Sequence, residues 1–582
     1  MQAFTKTDPK EHDPRATTRL AARPLLLLAL TIALVVACLL VTIPMPIGPM
    51  YWDHYIYLDA ANRIFDGQMP SVDFFTPAGG LGYYLFAMLL ELFPNGHPLL
   101  LASWSLLVVT APLMAIVLSD VQKRSTRTAL ALLLPFLLFS VLPFNTGDFY
   151  PYPGSDGFGI YNRQVCQVLY VLACGLLHVK DQRKLVAIVA LSMLSLLFIK
   201  VTGVVAGVIL CAMAFAAGRL GLRAAILAGL VFFATIAVLE GTTGMVTAYA
   251  ADILALLAVN NTSLIPRLVQ AASLNFGIVL ASSVLCIILF WQRFTDTRQT
   301  TNALLHQRSL AILRKTIDQP AFWMVAFLAA GLLFESQNTG SQAFIFLWPL
   351  LLAILVESHA RDGRSSRFLV VAAFALAIAA PPAVLIMQKS TRAWLGMANG
   401  EVLESTNIKT MGAVNIRSLQ LLRAERMQQN YSEHKNTYEA LALAGELPSF
   451  LLYSEYDFQT LWLRSADAAI TALHDYEAAN RVRFETIMTI DFTNPFPWLM
   501  DRHAPKYIAI GADPYRAVPE PDERVAAAVK ATDIALYPTC PPTTARFKLL
   551  SLYEPLLMET HTRITLTPCF DGFIRKDLPT TP

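Results

Sequence analysis

The chain has 582 residues, of which 55% are hydrophobic and only 15% charged, with a mean hydropathy of +0.49 and a formal net charge of +3. Apolar residues at that level, gathered in long blocks with almost no internal charge, indicate a polytopic membrane protein and exclude an ordinary soluble enzyme. There is no basic stripe for nucleic acid, no P-loop, no G-x-G-x-x-G loop, no H-E-x-x-H and no paired C-x-x-C.

Residues 1–23 are polar and carry Lys6, Lys10, Arg15, Arg19 and Arg23, and an apolar run from Pro24 to Ile43 follows. No small-x-small cleavage site comes after it, so the run is read as an uncleaved anchor behind a cytoplasmic segment. The loop 44–97 comes next. Its stretch Tyr51–Tyr84 holds Asp53, Asp59, Asp66 and Asp73 among many aromatic residues. Leu81–Phe93 is too short to span and is expected to lie on the membrane surface. Further spans are expected at 98–118, 128–144, 165–179, 185–200, 203–218, 224–240, 272–291, 321–335, 343–357 and 368–388, eleven with the first anchor. The apolar block 185–218 is too long for one helix and is interrupted at Lys200, where a tight hairpin is expected at the outer surface.

With the N-terminus inside, the inner segments hold 21 Lys and Arg residues, and the outer loops before residue 389 hold four, namely Arg63, Arg163, Lys200 and Arg267. That asymmetry follows the positive-inside rule and puts the loop 44–97 outside. Residues 389–582 turn polar. Short apolar runs (Phe450–Tyr453, Thr486–Ile490, Tyr507–Ile510, Asp533–Tyr537) and an expected strand at His561–Thr567 alternate with helical stretches (Ser465–Ala479, Phe547–Thr560). A periplasmic α/β domain is expected there, after a transmembrane region 24–388. Cys540 and Cys569 are its only cysteines. Each falls at the end of an expected element, so they form a candidate disulfide in an oxidising compartment, the alternative being two buried thiols.

Nearly every outward loop carries unusual polar groups: the aspartates of the first loop, NTGDFYPYPGSDGFGIYNRQ at 145–164, Lys200, and ESQNTGSQ at 335–342. Such groups at the helix ends, with the helix interiors almost bare, suit a site at the outer boundary better than a transport path at mid-membrane. The order W-D-x(5)-D, then G-x-x-P-x-x-D-F-F-x-P and an aromatic amphipathic segment, resembles the first extracytoplasmic loop of GT-C membrane glycosyltransferases. The nearest branch contains protein O-mannosyltransferases and lipid A aminoarabinose transferases. The resemblance implies a bacterial inner-membrane enzyme of the EC 2.4 class. Such an enzyme moves a sugar, with inversion, from a polyprenyl-phosphate donor to an extracytoplasmic lipid, glycan or protein acceptor.

That chemistry needs a carboxylate to take the acceptor proton and cations to hold the leaving phosphate. Asp53 occupies the place where the resembling enzymes have their catalytic aspartate; their motif is often Asp-Glu, and His54 stands second here. Asp73 is the second catalytic candidate, or an acceptor-binding residue; a turn aspartate is the alternative. Asp59 and Asp66 are expected on a solvated helix face. Arg163 and Lys200 are the candidate phosphate contacts. His54, Tyr57, Tyr161, Glu335, Gln337 and Asn338 are candidate substrate-binding residues. No cofactor is expected, and His54 and His97 lack further ligands at metal-binding spacing. Two other readings stay open at this point: a non-catalytic glycan-assembly subunit, and a transporter or flippase of lipid-linked sugars.

Overall fold

The computed structural model describes residues 23–48, 51–147, 154–259, 264–337, 340–342, 344–363, 365–446 and 456–579. The first apolar run forms α1 (Pro24–Leu39), with proline at its first turn, where a missing N–H costs nothing. The strand β1 (Met45–Pro46) leads into the loop, which folds into α2 (Asp53–Phe65) and α3 (Leu81–Leu92). The expected second span is broken into α4 (Pro98–Trp104) and α5 (Leu107–Val121). There follow α6 (Thr126–Val141), α7 (Ile160–His178), α8 (Gln182–Ile199), α9 (Val201–Ala216), α10 (Leu222–Thr243), α11 (Met245–Val259) and α12 (Leu264–Leu274). The last group is α13 (Phe276–Gln292), α14 (Phe294–Gln307), α15 (Leu310–Ile317), α16 (Pro320–Glu335), α17 (Leu347–Asp362) and α18 (Ser366–Gly396). Ser125, Asp181 and Ser365 cap α6, α8 and α18 by accepting the amides of Thr128, Arg183 and Phe368, which fixes where these helices leave the polar loops.

Among the described residues, four helices are by themselves long and apolar enough to cross a membrane: Pro98–Val121, Gln182–Ile199, Leu222–Thr243 and Ser366–Asn399. Two bent pairs, α12 with α13 at 90° and α15 with α16 at 65°, raise the number to six. α1, α3, α6, α9 and α11 are apolar but shorter. α10 is exposed along most of its apolar length, as a lipid-facing helix is. α7 is the opposite case, buried almost throughout although it carries Asn162, Arg163, Gln164 and Gln167.

The long apolar block does break at Lys200, the single extended residue between α8 and α9. Gly203 lies on Leu196 and Gly207 on Met193, so the two helices return side by side as a hairpin. Gly79 of the first loop packs on the backbone of Phe198, too close for any side chain, and its N–H donates to the Ile199 carbonyl at 2.9 Å. Two features depart from expectation. α18 continues to Gly396 through Pro381-Pro382, past the expected end at 388. α11 lies in what reads as the outer loop 241–271, and its Asp252 accepts the Thr76 amide of the first loop at 3.4 Å.

Beyond α18, β2 (Gly400–Val402) and β3 (Val414–Arg417) join β1 in a sheet ordered β1-β3-β2, with β1 parallel to β3. Helices α19 (Ser418–Glu433), α20 (Lys435–Leu443) and α21 (Tyr456–Asn480) precede a second sheet. Its strands are β4 (Ile487–Thr489), β5 (Ile534–Pro538), β6 (His561–Thr567) and β7 (Phe570–Arg575), in the order β4-β5-β7-β6. β4 and β5 are parallel, joined by a crossover that carries α22 (Phe496–Met500) and α23 (Glu523–Ala531). α24 (Thr544–Thr560) packs between β5 and β6 in sequence, and Cys540 and Cys569 are joined across it, their Cα atoms 4.8 Å apart. Tyr507–Ile510 is not a strand. Its amides go instead to single carbonyls of the first loop, Tyr507 to Asp73 at 2.6 Å and Ile510 to Phe75 at 3.1 Å. The run at 450–453 lies outside the described residues.

The first loop is held by the C-terminal region from β1 to Phe75. Trp52 and Tyr55 pack on Trp462, the latter stacked at 5.0 Å. Asn62 donates to the Arg502 carbonyl, Arg63 to that of Pro505 and Gln68 to that of Ala504. Asp59 is therefore not on a solvated face: it is buried and paired with Arg63 at 2.8 Å, because α2 is enclosed on every side. Asp66 meets His503 at 2.9 Å.

Candidate functional site

Asp53 opens α2, and its carboxylate is turned inward at 5% exposure. Its Oδ2 accepts the Gly159 N–H at 2.7 Å, and its own N–H donates to the Gly157 carbonyl at 3.1 Å. Gly159 begins α7 with φ +71°, and its Cα abuts the Gly340 backbone, so this position requires glycine for both reasons. The GSDGFG turn thus brings a peptide amide to a carboxylate 106 residues away.

The next residues of α7 complete the surroundings of Asp53. Arg163 is buried; its Nη1 donates to the Asp156 carbonyl at 3.1 Å, while Nη2 has no hydrogen-bond partner among the described residues. Lys200, on the α8–α9 turn, lies over the Tyr161 ring at 4.8 Å and donates to Asn162 Oδ1 at 3.0 Å. Asp53 feels both cations. Burial nevertheless outweighs them and the Gly159 and Ile160 amides, and raises the Asp53 carboxyl to about 6. Glu335, at the C-terminal end of α16, accepts the Ser341 hydroxyl at 2.7 Å and lies within the field of Lys200. Asp53, Arg163, Tyr161, Lys200 and Glu335 therefore meet in one place, at the ends of four different elements.

Other expected residues have different surroundings. Asp73 accepts the Met69 amide at 2.9 Å and pairs with Lys506 at 3.0 Å, so its carboxylate ties a turn to the C-terminal region. His54 packs between Tyr51 and Tyr55, its ring 6.3 Å from that of His97, and burial keeps both histidines neutral, with His97 lowered to about 3. Tyr57 is buried with its hydroxyl on Gln164 at 3.4 Å. Gln337 accepts from Arg267 at 3.0 Å, and Asn338 lies outside the described residues. The aromatics Tyr51, Trp52, Tyr55 and Tyr57 are core residues, so they do not form an exposed sugar platform. Among the described residues no group of three His, Cys, Asp or Glu side chains could hold a metal ion.

Three contributors escape a reading of the sequence: the Gly159 amide, Asn162 under Lys200, and Asp156. Asp156 is held by the Asn145 amide at 2.7 Å and by Lys389 at 3.4 Å, which pins the turn that presents Gly159. In the C-terminal region, Asp491 is taken up by Arg546 through two bonds of 3.1 and 2.9 Å. Asn494 bonds Thr489 and the Ile487 carbonyl, so the T-I-D-F-T-N-P stretch is a structural turn.

No protein-family model and no curated protein matches this sequence. Solved structures similar to it include ArnT from Cupriavidus metallidurans in the apo state, at 12% identity, covering 96% of this chain and 98% of that one, with a TM-score of 0.39. The same protein bound to undecaprenyl phosphate gives a TM-score of 0.40 at 12% identity and the same coverage. The oligosaccharyltransferase of Archaeoglobus fulgidus tethered to an acceptor peptide is 13% identical over 97% of this chain and 75% of that one, with a TM-score of 0.31. At these scores the likeness carries no weight of its own beside the geometry above.

Proposed function

We propose that this chain is an integral membrane glycosyltransferase that moves a sugar from a polyprenyl-phosphate donor to an extracytoplasmic acceptor in one inverting displacement. The observation that carries the reading is the buried carboxylate of Asp53, with its affinity for a proton raised towards neutrality, beside a buried guanidinium with an N–H unmatched among the described residues. A base that ionises near pH 6 is suited to receive a hydroxyl proton as the anomeric carbon is attacked. An unmatched charged donor in a dry site is costly unless a ligand completes it, and a phosphate oxygen would complete Arg163. Lys200, placed between Asp53 and Glu335, supplies the second cation, and Glu335 and Tyr161 line the sugar side. The sequence of the first loop, with its GT-C-like order of motifs, supports the same assignment.

In this reading eleven spans carry the chain from a cytoplasmic N-terminus to a periplasmic C-terminal region in a bacterial inner membrane. The support is the 21 to 4 division of Lys and Arg. Alkaline phosphatase fused after residue 579 should be active and a fusion at Arg127 inactive; the reverse would put Asp53 on the wrong side for the proposed acceptors. The activity is tested with the full chain reconstituted with a polyprenyl-phosphate sugar and envelope acceptors, alongside mass spectrometry of envelope glycans from a deletion strain. A single missing sugar, restored by the wild-type chain and not by Asp53→Asn, supports the reading. Full restoration by Asp53→Asn would leave a non-catalytic assembly role, and lipid-linked sugar crossing vesicles with no transfer would leave a transporter.

A further inference from the structure

The cluster around Asp53 leaves one charged feature of the molecule unexplained. Between α13 and α16, the longer arms of the two bent pairs, α14 and α15 fold back on each other through a turn at Arg308, whose φ is +45°. The start of α16, where this hairpin attaches, lies about 24 Å from Glu335 for a helix of its length. The hairpin is thus at the membrane face opposite the candidate site.

Its two acids are neutralised from outside the hairpin, or at its base: Asp296 by Arg361 at 2.9 Å and Asp318 by Arg219 at 2.7 Å. Arg298, Arg308, Arg314 and Lys315 make no ion pair among the described residues, and all but Arg314 are exposed. Leucines accompany these charges, with Leu305 71% and Leu310 61% exposed, and Leu313 following one turn after Leu310. Trp291, 68% exposed, packs on Phe294 where α13 gives way to α14, a position typical of aromatics at a membrane–water boundary. Exposed leucines are unfavourable against water, and the cations beside them have no carboxylate partner among the described residues. Both are satisfied when the leucines enter the acyl region and the cations reach headgroup phosphates.

We infer that the α14–α15 hairpin is a binding surface for anionic phospholipid on the leaflet opposite the candidate site, using Arg298, Arg308, Arg314 and Lys315. This does not depend on the proposed transferase activity. The test uses the full chain in nanodiscs of phosphatidylcholine with or without phosphatidylglycerol, read by amide hydrogen exchange over 294–317 and by native mass spectrometry of retained lipid. Phosphatidylglycerol should slow exchange in the hairpin, and each cation changed to Gln should lower its retention about fivefold. Retention unchanged in Arg298→Gln/Arg308→Gln/Arg314→Gln/Lys315→Gln, or exchange equal in the two lipids, would overturn the inference. Equal protection by inorganic phosphate would overturn it as well, in favour of a soluble anion.

Discussion

Asp53 and Asp73 belong to the same loop, lie in similar aromatic surroundings in sequence, and end in opposite circumstances. Asp53 is buried beside two cations with a short bond from the Gly159 amide, and its proton affinity is raised to about 6. Asp73 is saturated: one oxygen holds the Met69 amide and the other a lysine that is 54% exposed. The contrast is between a carboxylate that the proposed reaction would use and one whose oxygens tie the loop to the C-terminal region. Burial with incomplete compensation marks the first, and completed local bonds the second.

Exchanging each carboxylate for its amide should separate the two aspartates most strongly. Asp53→Asn should lower turnover about 100- to 10,000-fold with folding unchanged, whereas Asp73→Asn should leave turnover near wild type. Equal losses would erase the distinction. The same contrast has a pH signature. Because the base works ionised and Asp53 protonates at about 6, kcat/KM should be level above that pH and fall about tenfold per unit below it. A flat profile down to pH 5 would remove Asp53 as the titrating base.

The next effect concerns the region to which Asp73 is tied. Cys540→Ala with Cys569→Ala opens a bridge between residues 29 apart and should lower stability by about 3–4 kcal/mol on the chain-entropy estimate. Thermal unfolding of the full chain under reductant checks it. Arg163→Ala and Lys200→Ala should each cost about 1.5–3 kcal/mol in kcat/KM for the donor, with the acceptor KM unchanged. Acceptor-only effects would move both cations away from the phosphate. The smallest effect is Lys506→Ala, worth about 0.2–1 kcal/mol in stability because the pair is partly solvated; a larger shift in Tm would mean that Asp73 depends on it more than its exposure allows.

Much of this was legible in the chain because it is encoded locally. The break at Lys200 follows from block length and one charge, β6 spans the expected His561–Thr567, and the disulfide joins two element ends that an intervening helix folds back together. What was not legible is non-local or cancels locally. Arg63 stands one helical turn from Asp59, but nothing near the pair says that the Pro505 carbonyl, 442 residues on, will complete it, and nothing near Asp53 names Gly159. The 15 residues of α11 are too few to span and carry Asp252, so the sequence reads as loop; only the structure shows that Asp252 accepts the Thr76 amide of the first loop. The strand expected at Tyr507–Ile510 failed for a related reason, since an apolar run without a ladder partner spends its amides wherever carbonyls are available.

The clasp between the first loop and the C-terminal region also sets an order of events during synthesis. β1 waits for β3, and Arg63 waits for the Pro505 carbonyl 442 residues later. At ordinary elongation rates that delay is roughly 20–90 s, during which α2 has left the ribosome without the surfaces that enclose it. A chain stopped before residue 504 therefore contains every member of the Asp53 cluster but lacks the carbonyls and the lysine that clasp Arg63, Gln68 and Asp73, so late truncations should lower the yield of folded protein although they delete no residue of the site.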